Sequence, residues 1–165
     1  MSSSKTPAFV ILAACVAALA AVLVAQYGFG LLPCPLCTYQ RIPYVVVLLL
    51  ALALLSLPGS SRLGPVLLGL CALAFLVNSG IALFHVGVEQ HWWAGLASCS
   101  SSGAAGAASV DDMLAQLSKP VKVPACDQVA WALFGVSLAG YNLLASVGLA
   151  AFSAAAARRG WRRNP

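Results

Sequence analysis

Charge is what this sequence has least of. Asp, Glu, Lys and Arg together make up 8% of its 165 residues, while 61% are hydrophobic. A soluble domain carries about 25% charged residues. So little polar surface does not cover a water-soluble globule, and an integral membrane protein of one domain is the direct reading. Acids are scarcest, four against nine Lys and Arg. The net charge of +5 shows no nucleic-acid-binding pattern, so nucleic acid is not an expected partner. No phosphate loop, no zinc-protease motif and no sign of flavin, haem or nucleotide binding is present. The two histidines, His85 and His91, are six residues apart and do not share a helical face, so no metal site is expected.

What is present is long apolar runs. Four approach the ~20 residues of a helical span: about 8–27, 42–57, 65–86 and 129–152. The second is short and borrows Tyr39 to Arg41 at its start. The runs are continuous, whereas barrel strands alternate over about 10 residues. The expected fold is an all-α membrane protein, a bundle of four transmembrane helices with outer loops at about 28–41 and 87–128. The alternative for the first run is a cleaved signal peptide. Its apolar stretch exceeds the ~7–15 residues of a signal core.

The few charges set the orientation. Lys5, Arg62, Arg158, Arg159, Arg162 and Arg163 fall at one set of ends, giving +6 with no acid. Arg41, Lys119 and Lys122 face Glu89, Asp111, Asp112 and Asp127 on the other side, giving −1. The positive-inside rule puts both termini and the Arg62 turn in the cytoplasm. The Arg158–Arg163 tail then meets anionic lipid headgroups.

Both cysteine-bearing loops face outward. The first holds Pro33-Cys34-Pro35-Leu36-Cys37-Thr38-Tyr39-Gln40-Arg41, with the only charged residue between Lys5 and Arg62. A Cys-x-x-Cys pair closes a small disulfide ring, and a nearby cation favours its thiolate. Arg41, four residues after Cys37, is placed to be that cation. Pro33 and Pro35 restrict the backbone around Cys34. The second loop holds Cys99 and Cys126, with Trp92 and Trp93 as an interfacial anchor. Its Ser/Gly/Ala-rich stretch 100–109 is expected to be flexible. Residues 109–117 follow with a capping-box-like Ser109 and Asp112 and apolar residues at i, i+3, i+4, i+7. That pattern predicts a short amphipathic helix on the membrane surface. Four cysteines facing an oxidising compartment allow three pairings; Cys34–Cys37 with Cys99–Cys126 is the obvious set. Both bonds could also merely staple the loops.

Inside the spans, Cys15 and Cys71 read as packing residues. Asn78 and Ser79 read as makers of interhelical hydrogen bonds. His85 lies at the depth of the first cysteine loop and is a functional candidate. Glu89, at i+4, can pair with it. Two dithiols on one side of a bundle suggest an electron relay by thiol–disulfide exchange. The terminal acceptor must dissolve in lipid, and a quinone suits.

These features resemble the bacterial disulfide bond formation protein B (DsbB) family. The resemblance rests on the four spans, Cys34-Pro-Leu-Cys37-Thr-Tyr-Gln-Arg41, the stretch from His85 to Glu89, and the Cys99 and Cys126 pair with its surface helix. It implies a thiol:quinone oxidoreductase of the bacterial inner membrane, which reoxidises a DsbA-like periplasmic thiol oxidase and draws on the quinone pool. Cys99 would receive the partner's attack, freeing Cys126. Cys126 would attack Cys34 and release Cys37 as a thiolate. Cys37 would contact ubiquinone (or menaquinone), steadied by Arg41, with His85 as the quinone-contacting histidine. Two other readings are a non-catalytic four-span protein with structural disulfides and a vitamin K epoxide reductase-like enzyme. In the latter family the redox Cys-x-x-Cys lies in a late helix, whereas here it opens the second span.

Overall fold

The computed structural model describes residues 5–58, 61–95 and 125–163. Helix α1 spans Lys5–Leu23 and ends in a wider π turn, Val24–Gly28. A short helix α2, Pro35–Tyr39, runs almost directly into α3, Arg41–Ser56. Helix α4 spans Leu63–Glu89. A two-stranded hairpin follows, β1 (Ala132–Leu133) and β2 (Val136–Ser137), antiparallel with Leu133 opposite Val136. Helix α5 closes the chain at Leu138–Arg163. Four helical segments are long and apolar enough to cross a membrane, and the protein is a multi-pass membrane protein.

Three boundaries differ from the sequence reading; one is the end of the last helix, which runs on to Arg163 rather than stopping near Phe152. The second span begins at Pro35 rather than at 39–42. The break between α2 and α3 has a local cause. Pro43 has no N–H for the Tyr39 carbonyl, and its ring crowds that carbonyl, so the helix cannot run through unchanged. The last helix begins at Leu138, not near Val129, because residues 132–137 form the hairpin. Its turn takes Phe134 to φ 51° and Gly135 to φ 80°, and positive φ at both central positions suits a tight hairpin. Trp131, expected on the last helix, lies just before β1 instead.

Helix α4 is the spine. Leu68, Cys71, Phe75, Asn78, Ala82, His85 and Glu89 are all buried, at alternating spacings of three and four. Such a seam keeps one face turned to a neighbouring helix. Its most extensive partner is α5, whose buried residues are small: Ala139, Ser146, Ala150, Ser153 and Ala157. Small side chains let helix backbones approach closely where lipid supplies no hydrophobic drive. Helix α1 contributes Ala8, Ile11 and Cys15, and α3 contributes Tyr44, Val47, Ala51 and Leu54. Tyr44 meets Phe75 edge-on, with centroids 5.8 Å apart. Cys15 and Cys71 lie fully buried in this cluster, consistent with packing. Leucines on the opposite faces, such as Leu49, Leu73, Leu76 and Leu144, are exposed on the outside of the bundle, where lipid would cover them.

Gly87 marks a close approach at the outer end of α4. A Cβ there would collide with the Trp93 indole. Trp93 stacks on Phe84 and donates from Nε1 to the Phe84 carbonyl at 2.9 Å. Gly87→Ala is expected to expel the indole and cost about 1–3 kcal/mol, the usual penalty for overpacking. Red-shifted tryptophan emission and a lowered melting temperature would show it; unchanged emission would mean that Trp93 is held by something else.

Candidate active site

The site lies where the first loop meets α4 and α5. Cys34 caps α2 in an extended conformation, φ −72° and ψ 165°. Pro35 enforces this, since the residue before a proline is pushed out of the helical region and proline suits the first helical turn. The Cys34 sulfur accepts from the Cys37 backbone N–H at 3.2 Å, and Thr38 N–H donates to the Cys34 carbonyl at 3.1 Å. The two sulfurs therefore face each other, Sγ to Sγ 2.7 Å, placed for a disulfide, whose bond is about 2.05 Å.

The two cysteines look in different directions. Cys34 is buried in a small cluster with Leu36, Val88 and Cys126, against which Phe84 and Cys37 pack. Cys37 instead lines a cavity of about 270 Å³. Leu19 and Val22 of α1, Leu31 and Leu32 of the loop, and Ala139 and Ala145 of α5 give that cavity apolar walls. Its polar groups are few: Cys37, Gln40, Arg41, Tyr44, His85, Tyr141 and Asn142. An apolar cleft with a few convergent polar groups is the usual form of a small-molecule site.

Arg41 Nη1 donates to Gln26 Oε1 at 2.8 Å, which ties the head of α3 to the π turn after α1. Arg41 and Cys37 line the same cavity. His85 Nε2 stands 3.6 Å from Cys34 Sγ and 3.9 Å from Glu89 Oε1. The i+4 pairing of His85 with Glu89 is thus present. Ser137 at the end of β2 donates to Glu89 Oε2, so the hairpin braces the carboxylate.

The hydrogen bond shared with Cys37, and then burial, push the Cys34 thiol well above the ordinary thiol range. Only the thiolate reacts with alkylating agents. A raised value means that the proton stays on through neutral pH. Cys34 in the reduced protein is therefore expected to resist iodoacetamide from pH 6 to 8. Rapid labelling of Cys34 at pH 7, read by mass spectrometry, would contradict this.

Of the site residues expected from sequence, Cys34, Cys37, Arg41 and His85 come together, and Cys126 packs beside Cys34. Cys99 and the 109–117 surface helix lie outside the described residues. Asn78 makes its expected interhelical bond, to Ser146 Oγ at 2.8 Å. Ser79 turns back instead onto its own helix, to the Phe75 carbonyl. Sequence reasoning missed Gln26, Gln40, Tyr44, Ser137 and Ser146. Gln26 and Gln40 carried a signal nonetheless, as polar side chains flanking apolar runs.

Cys34, Cys37 and His85 put three possible ligand atoms within 4.8 Å of one another, a cluster the sequence did not suggest. Gln40 Nε2 lies 2.8 Å from His85 Nδ1. If that amide donates, the histidine proton sits on Nε2, the nitrogen facing the sulfur. That nitrogen is then a donor and has no lone pair for a metal.

A family model described as disulfide bond formation protein DsbB matches residues 4–156. The chain is similar to disulfide bond formation protein B of Methylococcus capsulatus, 33% identical over 84% of this chain and 85% of that one. It is also similar to disulfide bond formation protein B of Saccharophagus degradans, 29% identical over 93% and 92%. A shorter stretch is 44% identical to the protein of that name from Chromobacterium violaceum, over 47% of each chain. No solved structure matches. With helices, cysteine pair and family model agreeing over nearly the whole length, the chain belongs to the DsbB family of disulfide bond formation proteins.

Proposed function

We propose that this protein is a thiol:quinone oxidoreductase of the bacterial inner membrane. It takes two electrons from a DsbA-like periplasmic dithiol protein and delivers them to a membrane quinone. The observation that carries the reading is the opposite facing of one adjacent pair. Cys34 packs toward Cys126, and Cys37 lines the apolar cavity.

The chemistry follows from that order. A reduced partner attacks Cys99, and the Cys99–Cys126 bond breaks to leave Cys126 as a thiolate. Cys126 attacks Cys34; the Cys34–Cys126 bond forms and the Cys34–Cys37 bond breaks. The electron pair then rests on the Cys37 sulfur, at the cavity wall. The partner's second thiol attacks the mixed disulfide, which leaves the partner oxidised and frees Cys99 as a thiolate. Cys99 attacks Cys126; the Cys99–Cys126 bond re-forms and Cys34 is released beside Cys37 as a dithiol. A quinone held at the wall would take two electrons and two protons from that dithiol as the Cys34–Cys37 bond closes.

The residues fit a quinone. The walls are apolar, Arg41 can donate to a ring oxygen from the polar edge, and His85 lines that edge. The Arg41 guanidinium on the same wall also favours negative charge on Cys37. Ubiquinone or menaquinone would suit the same walls. Both termini and the six basic residues of one end are cytoplasmic in this arrangement, with the cysteines periplasmic.

The test is an absorbance assay in detergent. The purified chain is mixed with a reduced periplasmic dithiol protein and ubiquinone or menaquinone. Catalytic loss of quinone absorbance, with oxidation of an equal amount of dithiol, supports the reading. No quinone reduction by folded protein, with several dithiol donors, would sink it.

A further inference from the structure

His85 ends a buried polar chain that crosses three helices. Gln40 Nε2 lies 2.8 Å from His85 Nδ1. The other atom of that amide, Gln40 Oε1, accepts from Asn142 Nδ2 on α5. Asn142 Oδ1 in turn accepts from the Tyr44 hydroxyl at 2.7 Å and from Asn78 Nδ2 at 3.4 Å. Asn78 Nδ2 also donates to Ser146 Oγ at 2.8 Å. Gln40, Asn78, Ser146 and His85 are all buried, where an unpaired polar group costs about 1–3 kcal/mol.

The chain has a direction. An amide donates only from nitrogen and accepts only at oxygen. With Oε1 taken by Asn142, Gln40 offers its NH₂ to the histidine, and Nδ1 must accept. A neutral imidazole then carries its proton on Nε2. That nitrogen faces Cys34 Sγ at 3.6 Å and the Glu89 carboxylate at 3.9 Å, both acceptors.

We propose that Gln40, oriented by Asn142, is a positioning residue that holds His85 as the Nε2–H tautomer and so aims an N–H donor at the Cys34 sulfur. Neither residue reaches that sulfur itself; both act through the imidazole. An N–H in this place stabilises negative charge on Cys34 while its bond to Cys37 or Cys126 is made or broken. The importance of this for turnover rests on the oxidoreductase reading. The tautomer does not.

The experiment is nitrogen NMR of the full chain, labelled at histidine, in detergent. There are two histidines, and His91→Asn assigns them; His91 sits at φ 58°, which asparagine tolerates. Wild-type His85 is expected to show a protonated Nε2 and an unprotonated Nδ1. Gln40→Glu substitutes a group of the same shape that accepts, and His85 is expected to gain a proton on Nδ1. Asn142→Leu releases the Gln40 amide to turn over, and a mixture of both tautomers is expected. A protonated Nδ1 in the wild type would overturn the proposal, as would an unprotonated Nδ1 in Gln40→Glu. A single unchanged tautomer in Asn142→Leu would remove Asn142 from it. Quinone reduction by Gln40→Glu is expected to fall about tenfold, the loss of one charge-assisted hydrogen bond. If the wild type shows the Nε2–H pattern but reduces no quinone, the tautomer assignment stands and the oxidoreductase reading fails.

Discussion

Replacing Cys37 by serine is expected to stop quinone reduction, a loss on the order of a thousandfold or more, as when a reacting nucleophile is removed. Cys37 is the only sulfur among the described residues that lines the cavity. Cys34 is buried on the far side of the pair and lies against Cys126, so it is not placed to replace Cys37 at the wall. Serine keeps the shape of the side chain, and the fold is expected to survive with little change in melting temperature. Exchange of the reduced partner with the Cys99 and Cys126 pair is expected to persist, so that one equivalent of partner is oxidised per chain without quinone. Quinone turnover by Cys37→Ser at the wild-type rate would contradict the assignment of the wall sulfur.

The second large effect is expected at Arg41. It lines the same cavity as Cys37 and is the only cation to do so among the described residues. A hydrogen bond to a charged group contributes about 1.5–3 kcal/mol. Arg41→Ala is therefore expected to slow quinone reduction about ten- to a hundredfold, at 1.36 kcal/mol per tenfold in rate. The loss has two parts, the charge and the fork that holds Gln26 Oε1 at 2.8 Å. Arg41→Lys keeps the first and loses the second. It is expected to recover part of the rate, with a raised KM for quinone. A rate in Arg41→Ala equal to the wild type would show that the charge serves only the packing of α3 against the π turn.

Much of the architecture was legible because membrane helices announce themselves by length and apolar continuity. The charge deficit, the continuity of the four runs and the Pro-bracketed Cys34 carried that signal. The start of the last helix was not legible for the same reason. Residues 129–137 are as apolar as the helix that follows, so hydropathy does not separate the hairpin from α5. Gly135 at positive φ was the signal available. The cysteine pair and Arg41 could be read as a site because they lie within eight residues. The contacts of His85 with Cys34 and Gln40 could not, since 51 and 45 residues separate them. Only the packing of α4 against the head of α2 brings them together. Glu89 was visible as an i+4 partner, but its bond to Ser137 depends on the hairpin.

Photoaffinity labelling tests the central claim most directly: that a quinone sits against Cys37 between α1 and α5. The purified chain would be irradiated with a quinone carrying an azide on its ring, and the labelled peptides identified by mass spectrometry. The account predicts labels at residues 18–25, 31–44, 85, 130 and 138–145, which line the cavity, suppressed by excess ubiquinone. Labels confined to other parts of the bundle, or labels that excess ubiquinone does not displace, would contradict it.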